Sequence, residues 1–353
     1  MSRLNPRARN RGPSTPVFEP LWAAEEMNDH VIAIEWSPDG RRLAGASIAG
    51  PIALIDGQTG EWVHQLDGHG FGTTSISWSP TGDRLASAGQ DGKVRFWDAA
   101  SGQQIAAVDG GAAWVERLSW CAQAPLLATS AGRSLRLWNA DGDLMRSYPA
   151  HPSTIADIRW HPKLQQLASA SYGQLAIWTP DRDEPLRQFF WKGSMLTICW
   201  SPSGRYLATG NQDSTVHFWD LRTGDDLQMW GYPTKVQELA WDESGRFLAT
   251  GGGTEVCVWD FSGKGPAGTT PLQFGLSGSR ITSLAFRPRV EARLAAGFAD
   301  GAIGVWKLGR QATQLDRFAI DSGISCLSWD PQGRRLALAT EGGGIACFSD
   351  QKR

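Results

Sequence analysis

Cysteine is scarce and widely scattered in this sequence. The five cysteines, Cys121, Cys199, Cys257, Cys326 and Cys347, include no close pair. Disulfide frameworks and zinc sites need cysteine, or cysteine with histidine, at short regular spacings, so neither is indicated. We therefore expect reduced, packed thiols, no metal site and a cytoplasmic location. Only a metal site assembled from distant residues stays open.

An excess of one charge and long apolar runs are also missing. The chain has 34 Lys and Arg against 36 Asp and Glu, a net charge of −2, and no stretch long enough to span a bilayer. General attraction to nucleic acid or an anionic membrane is therefore not expected. Residues 1–16 differ, since four arginines stand among prolines without acidic residues. They predict a disordered basic arm, with RNA binding by the arm as an alternative.

Eight repeats of one pattern dominate the rest of the chain. Each has an apolar alternation that ends in an aromatic residue, a turn that is often Ser-Pro, a Leu-Ala strand and usually a strand that ends in Trp. The intervals between successive anchors are 40 to 45 residues, a period typical of repeat architectures. The anchors are Trp36, Trp78, Trp120, Trp160, Trp200, Trp241, Phe286 and Trp329.

Each repeat predicts four short antiparallel strands. Apolar residues alternate over four to eight positions, and Gly, Pro, Asp and Ser separate the runs. In repeat 5 the strands are expected to end at Trp200 and to run over 206–209, 216–220 and about 226–230. Thirteen of the 18 tryptophans end first or third strands, where burial between neighbouring units explains them better than ligand binding.

Trp-Asp closes the third strand at Trp97-Asp98, Trp219-Asp220 and Trp259-Asp260, and Gly68-His69 opens repeat 2. With these marks and this period, the chain resembles the WD40-repeat β-propeller family, specifically the bacterial-type proteins with a single propeller. The resemblance covers about residues 17–350. Several repeats are degenerate, because the residue that follows the third-strand tryptophan is not Asp at Trp138, Trp178 and Trp306.

Strand counting indicates how the ring closes. Eight repeats supply eight sets of inner strands, but only seven outer strands lie between them. We expect residues 17–24 to provide the missing outer strand of the last blade, because closure removes a free sheet edge. The prediction is an all-β, eight-bladed propeller of four-stranded antiparallel blades, with a single domain over 17–350 and a tail over 351–353. The alternative is seven blades and a divergent unit.

Repeat 2 contains the residues of a polar network. The resemblance implies that His69, Ser87, Asp91 and Trp97 form a structural tetrad within one blade, in which one hydrogen-bonded chain satisfies several buried polar groups. The network has the composition of a catalytic triad, but catalysis would also need an accessible hydroxyl and an oxyanion site. Repeats 4 and 5 keep only part of it.

Candidate binding residues fall at the two ends of the strands. We call the ends that carry the turns between second and third strands, and the loops entering first strands, the upper ends; the others are the lower ends. Aromatic clusters with arginine neighbours are typical of binding hot spots. The upper-end candidates are Trp114, Tyr172, Phe190, Trp191, Trp230 and Tyr232. Trp191 and Tyr232 occupy the histidine position of the tetrad, so inward packing is their alternative. The lower-end candidates are Lys264, Arg287, Arg289 and Arg293, although the mixed polar composition of their loops favours simple solvation over a contact surface.

These observations favour a non-catalytic scaffold that binds partner proteins, as a monomeric propeller within a complex. Nucleotide loops are not indicated, because the Gly-Lys pair at 263–264 lacks the spacing and the strand-to-helix context. No cofactor, membrane or nucleic-acid partner is expected. The alternatives are an accessory protein of a metal-handling or GTPase-type system, RNA binding through the basic arm and, least favoured, an enzyme that uses the central channel.

Overall fold

The computed structural model describes residues 17–263 and 265–350, and all of its regular elements are β-strands. The predicted basic arm, Lys264 and the tail lie outside the described residues. Thirty-two strands form eight separate four-stranded antiparallel sheets. The protein is an eight-bladed β-propeller, as the strand count predicted.

The strands follow the repeats in order. Blade 1 contains β2 (Val31–Trp36), β3 (Arg42–Ser47), β4 (Ile52–Asp56) and β5 (Trp62–Leu66). Blade 2 contains β6 (Thr73–Trp78), β7 (Arg84–Gly89), β8 (Lys93–Asp98) and β9 (Gln104–Asp109). Blade 3 contains β10 (Arg117–Trp120), β11 (Leu127–Ala131), β12 (Ser134–Trp138) and β13 (Leu144–Ser147). Blade 4 contains β14 (Ile155–Trp160), β15 (Leu167–Ser171), β16 (Gln174–Trp178) and β17 (Arg187–Phe190).

The second half repeats the arrangement. Blade 5 contains β18 (Met195–Trp200), β19 (Tyr206–Asn211), β20 (Val216–Asp220) and β21 (Asp226–Met229). Blade 6 contains β22 (Leu239–Trp241), β23 (Phe247–Thr250), β24 (Glu255–Asp260) and β25 (Leu272–Gly275). Blade 7 contains β26 (Ile281–Phe286), β27 (Arg293–Phe298), β28 (Ala302–Leu308) and β29 (Ala312–Ala319). Blade 8 contains β30 (Ile324–Trp329), β31 (Arg335–Thr340), β32 (Ile345–Asp350) and, from the other end of the chain, β1 (Phe18–Ala23).

Contacts between Cα atoms divide the chain into two compact units. Within the described residues, the first unit comprises 17–47, 53–63 and 238–350, and so contains blades 6, 7 and 8 with part of blade 1. The second unit comprises 48–52 and 64–237, and contains blades 2 to 5.

Anchor tryptophans join neighbouring blades within each unit. In the second unit, Trp160 Nε1 donates to the Ser119 carbonyl at 2.9 Å, and Trp200 Nε1 donates to the Arg159 carbonyl at 3.0 Å. Both rings are 8% exposed. At these two positions the indole therefore fills the space between two sheets and also supplies a hydrogen bond to the first strand of the preceding blade. Packing is the feature that explains the recurrence of the anchor, because Trp120 Nε1 is buried without a hydrogen-bond partner among the described residues.

Strand β1 closes blade 8. It pairs antiparallel with β32, from Phe18 opposite Asp350 to Ala23 opposite Ala346. The Asp316 carboxylate accepts the Val17 and Phe18 amides at 2.9 and 2.8 Å. The outer strand predicted over residues 17–24 is therefore confirmed, and an acidic side chain on β29 holds its beginning.

Candidate functional site

The four residues of the predicted tetrad meet in blade 2. His69 Nδ1 lies 2.8 Å from Asp91 Oδ1, and His69 Nε2 lies 2.8 Å from Ser87 Oγ. Trp97 Nε1 donates to the same hydroxyl at 2.9 Å. A neutral imidazole that donates from Nδ1 and accepts at Nε2 satisfies every donor in this hydrogen-bonded network. Gly89 leaves room for the ring, since a Cβ there would lie 2.2 Å from His69 Cγ.

The environment of this tetrad favours structure over nucleophilic catalysis. His69 is 2% exposed and Ser87 is 0% exposed, so a substrate has no access to the hydroxyl. Burial lowers the pKa of His69, although the Asp91 hydrogen bond acts in the opposite direction. Burial would raise the pKa of Asp91, but the hydrogen bond from His69 helps to hold it below its usual range. The pair therefore exists as neutral imidazole and carboxylate near neutral pH.

Blade 4 has the same hydrogen-bonded network of His, Ser and Trp, but it lacks the carboxylate. His151 Nε2 lies 2.8 Å from Ser169 Oγ, and Trp178 Nε1 donates to that hydroxyl at 2.8 Å. The shorter turn at Tyr172-Gly173 has no Asp, and the buried His151 Nδ1 has no hydrogen-bond partner among the described residues. Burial lowers the pKa of His151 to about 4.

Blade 5 replaces the tetrad histidine by an aromatic packing arrangement. The Trp191 ring meets the His217 ring edge-on at 5.4 Å, and His217 stacks on Trp219 at 4.3 Å. The Trp191 ring folds back over its own loop, since a Cβ at Gly193 would lie 2.3 Å from it. The Asp213 carboxylate accepts from Thr215 Oγ1 at 2.7 Å and takes no part in this packing.

The upper-end candidates divide by exposure. Phe190 and Trp230 are each 76% exposed, Tyr172 is 56% exposed and Trp114 is 55% exposed. In contrast, Trp191 is half-buried and Tyr232 is 8% exposed. Two of the six candidates therefore pack inward, Tyr232 almost completely and Trp191 in part, as their position in place of the tetrad histidine allowed.

Two further exposed residues at upper ends were not among the predicted candidates. Phe71 is 88% exposed and has a φ of 69°, which is rare for a bulky side chain. Ile48, in the adjoining turn, is 45% exposed. The signal available in the sequence was an aromatic residue between two glycines, at Gly70-Phe71-Gly72.

Among the residues that the structure describes, the six exposed large apolar residues at upper ends all belong to the second unit. They are Ile48, Phe71, Trp114, Tyr172, Phe190 and Trp230. The other exposed large apolar side chains lie on outer strands or at lower ends. Among the described residues of the first unit, none lies at an upper end. Exposed apolar side chains mark an interaction surface where they are contiguous.

Arginines at the lower ends of the first unit are largely neutralised. Arg287, 8% exposed, pairs with the Asp350 carboxylate, to which Arg293 Nη1 also donates at 3.1 Å. Arg289 is exposed, and its amide donates to the Glu243 carboxylate. These loops border a depression of about 1180 Å³. Arg287 and Arg293 therefore hold the end of β32, and Arg289 is the freest of the three described candidates.

Two of the cysteines lie in surroundings that disfavour the thiolate. Burial raises the pKa of Cys326 to about 11 and that of Cys347 to about 12, so neither is an activated thiolate. Within residues 17–263 and 265–350, no group of three or more His, Cys, Asp or Glu could hold a metal ion. No helix in these residues is long and apolar enough to cross a membrane.

Comparisons with known proteins agree with the repeat architecture. The family model "WD domain, G-beta repeat" matches residues 60–98, 142–179, 184–220 and 227–260, and the model "Anaphase-promoting complex subunit 4 WD40 domain" matches residues 15–72. The crystal structure of the computationally designed Ika8 protein superposes with a TM-score of 0.80 at 20% identity, and covers 94% of this chain and 99% of that one.

Similar curated proteins include members of two groups. Eukaryotic translation initiation factor 3 subunit I of Aspergillus niger is 30% identical over 115 residues, which is 32% of this chain and 28% of that protein. Protein transport protein sec13 of Aspergillus clavatus is 25% identical over 233 residues, or 60% of this chain and 70% of that protein. The chain thus spans little more than a quarter of the initiation-factor relatives that it matches. The repeats, the blades and the family models together establish that this chain belongs to the WD40-repeat family.

Proposed function

We propose that this protein is a non-catalytic scaffold that binds partner proteins through the upper ends of blades 4 and 5. The observation that carries the proposal is the group of three aromatic side chains, Tyr172, Phe190 and Trp230, each more than half exposed. Burying large rigid aromatic rings is the commonest source of hot-spot energy in protein interfaces. A contiguous group of exposed apolar side chains is rare on a monomeric protein, and it usually marks an interaction site.

The names of the relatives support this class of function. One group is named as a subunit of a translation initiation factor, and the other as a protein transport protein. The buried tetrad hydroxyl also argues against a nucleophile in blade 2. We further propose a cytoplasmic protein that acts as one propeller within a complex, since its five cysteines are free.

Affinity capture from the native host tests the proposal. The bait is the full chain, and the test variant carries Tyr172→Ala, Phe190→Ala and Trp230→Ala. We expect a protein recovered in stoichiometric amount with the wild type to be lost with this variant, while the melting temperature changes little because the three side chains are exposed.

A matched control carries Leu164→Ala and Leu186→Ala, two exposed residues at lower ends of blade 4. It should recover the partner normally. Equal recovery by a stable aromatic variant would contradict the proposed surface, and a large loss of its stability would show that the rings serve packing instead.

A further inference from the structure

The exposed aromatics of blades 4 and 5 belong to one continuous surface. The turn 171–174 is hydrogen-bonded to the loop 190–194, because the Gly173 amide donates to the Gly193 carbonyl at 3.0 Å. That loop is bonded to the turn 211–215 by the Gln212 amide, which donates to the Ser194 carbonyl at 2.9 Å. The loop 230–235 follows, anchored where the Val236 amide donates to the Asn211 carbonyl at 3.1 Å. We call these four segments the aromatic surface.

The same surface carries two uncompensated cations. Lys192 stands between Trp191 and Gly193, and Lys235 lies in the loop 230–238 between β21 and β22; both lysines are exposed. Neither forms an ion pair with any residue that the structure describes. One carboxylate, Asp213, lies in the four segments. The next carboxylate after Lys235 along the chain, Glu238, is half-buried and faces Gly251, since a Cβ there would lie 2.6 Å from its Oε2.

The arrangement favours a ligand with both apolar and acidic groups. Exposed rings gain most by contacting large apolar side chains, while two unpaired ammonium groups attract carboxylates and orient the ligand. The surface rests on backbone hydrogen bonds between turns and is open along two blades, which suits an extended segment better than a deep pocket would.

Nucleic acid also combines stacking with positive charge, but it needs more cations than this surface offers. Single-stranded nucleic acid is bound by positively charged grooves that follow a run of phosphates. Two lysines beside one aspartate supply too little positive charge to follow a run of phosphates, and the whole chain is slightly acidic.

We propose that the aromatic surface binds an acidic segment of a partner protein, in which carboxylates flank large apolar side chains. This inference rests on the proposed function and specifies the chemistry of the partner. Lys192 and Lys235 then determine specificity for the acidic residues, and the three exposed rings supply most of the affinity.

A phage-displayed library of random dodecapeptides, selected on the immobilised full chain, tests the inference. We expect the selected peptides to be acidic and rich in large apolar residues. The best peptide is then synthesised with a fluorescein label, and its affinity is measured by anisotropy. Tyr172→Ala, Phe190→Ala and Trp230→Ala together should weaken binding at least about 30-fold, as expected for hot-spot residues.

Charge reversal isolates the new claim. The double variant Lys192→Glu and Lys235→Glu should weaken binding about tenfold at low salt and much less at high salt. A matched reversal of two exposed cations at lower ends, Lys163→Glu and Arg182→Glu, should leave the affinity unchanged. Asp213→Lys should strengthen binding.

The possible outcomes separate this inference from the proposed function. Neutral or basic selected peptides, or an affinity that the Lys192 and Lys235 reversal does not change, would overturn the acidic partner alone. Failure to select any peptide that depends on the three rings would overturn both proposals. Tight binding of a labelled oligouridylate that is lost with the same ring variant would overturn the peptide in favour of RNA.

Discussion

Removal of β1 should destabilise the whole propeller. Phe18 is fully buried, and its ring meets Trp329 edge-on at 5.5 Å. Trp22 is 8% exposed and donates from Nε1 to the Gly57 carbonyl at 3.0 Å. Deleting residues 1–25 removes both rings, the pairing with β32 and the cover of the last blade, so β32 becomes a free edge.

The magnitude follows from the two aromatic residues. Truncating a buried Phe or Trp to Ala typically costs about 3 to 5 kcal/mol, so losing both costs about 6 to 10 kcal/mol before the strand hydrogen bonds are considered. Folded proteins are stable by only about 5 to 15 kcal/mol. We therefore expect the chain without residues 1–25 to be largely unfolded or barely stable at 25 °C.

Denaturant titration followed by circular dichroism measures this effect. Deletion of residues 1–15 leaves β1 intact and serves as the control, for which we expect nearly wild-type stability. Asp316→Ala removes the acceptor of two amides at the start of β1 and should cost about 1 to 3 kcal/mol. If the two deletions have the same unfolding midpoint, β1 does not close the ring in the way that its contacts indicate.

Three further predictions concern single side chains. Asp91→Ala should lower the unfolding free energy by about 1 to 3 kcal/mol, because the buried imidazole of His69 loses its partner. Asp213→Ala should lower it by at most about 0.5 kcal/mol. Equal losses for the two variants in denaturant titration would refute this prediction. Burial holds the pKa of His151 near 4, below the usual 6.5, so its contribution to stability is complete above pH 6.5 and is lost as the pH falls to 4. His151→Gln should remove about 3 kcal/mol of that acid-induced loss in titrations at several pH values, and an unchanged loss would contradict this. Phe71→Gly should raise the melting temperature, since glycine adopts a positive φ without strain and the exposed ring contributes no packing; a lower melting temperature would show that the ring is held by contacts.

The blades could be predicted because the alternating apolar residues and the turn residues of each repeat specify its strands locally. The predicted strands of repeat 5 differ from β19 and β21 by at most two residues at their ends. The position of β1 followed from a count of outer strands, which depends only on the order of elements along the chain. The register with β32 and the role of Asp316 did not follow, because they depend on residues about 300 positions apart.

The candidate site could be predicted only in part. The tetrad of blade 2 was accessible from the sequence because its four residues recur at fixed positions in a known pattern. Exposure was not, because Phe190 and Trp191 are neighbours, and one ring lies in solvent while the other packs on His217. Adjacent residues of an extended chain point to opposite sides, and the sequence does not state which side the next blade covers. Phe71 was missed for a related reason, since its exposure depends on a backbone conformation.

By itself, the sequence determined the repeat, the eight blades, the closing strand and the composition of the tetrad, because periodic apolar residues and turn residues act over a few positions. Only the tertiary structure decided which aromatics reach solvent, which arginines are neutralised by Asp350, and that Lys192 and Lys235 form no ion pair with the described residues. These properties depend on side chains from different blades that meet in space, and burial and charge pairing are determined by such meetings rather than by position along the chain.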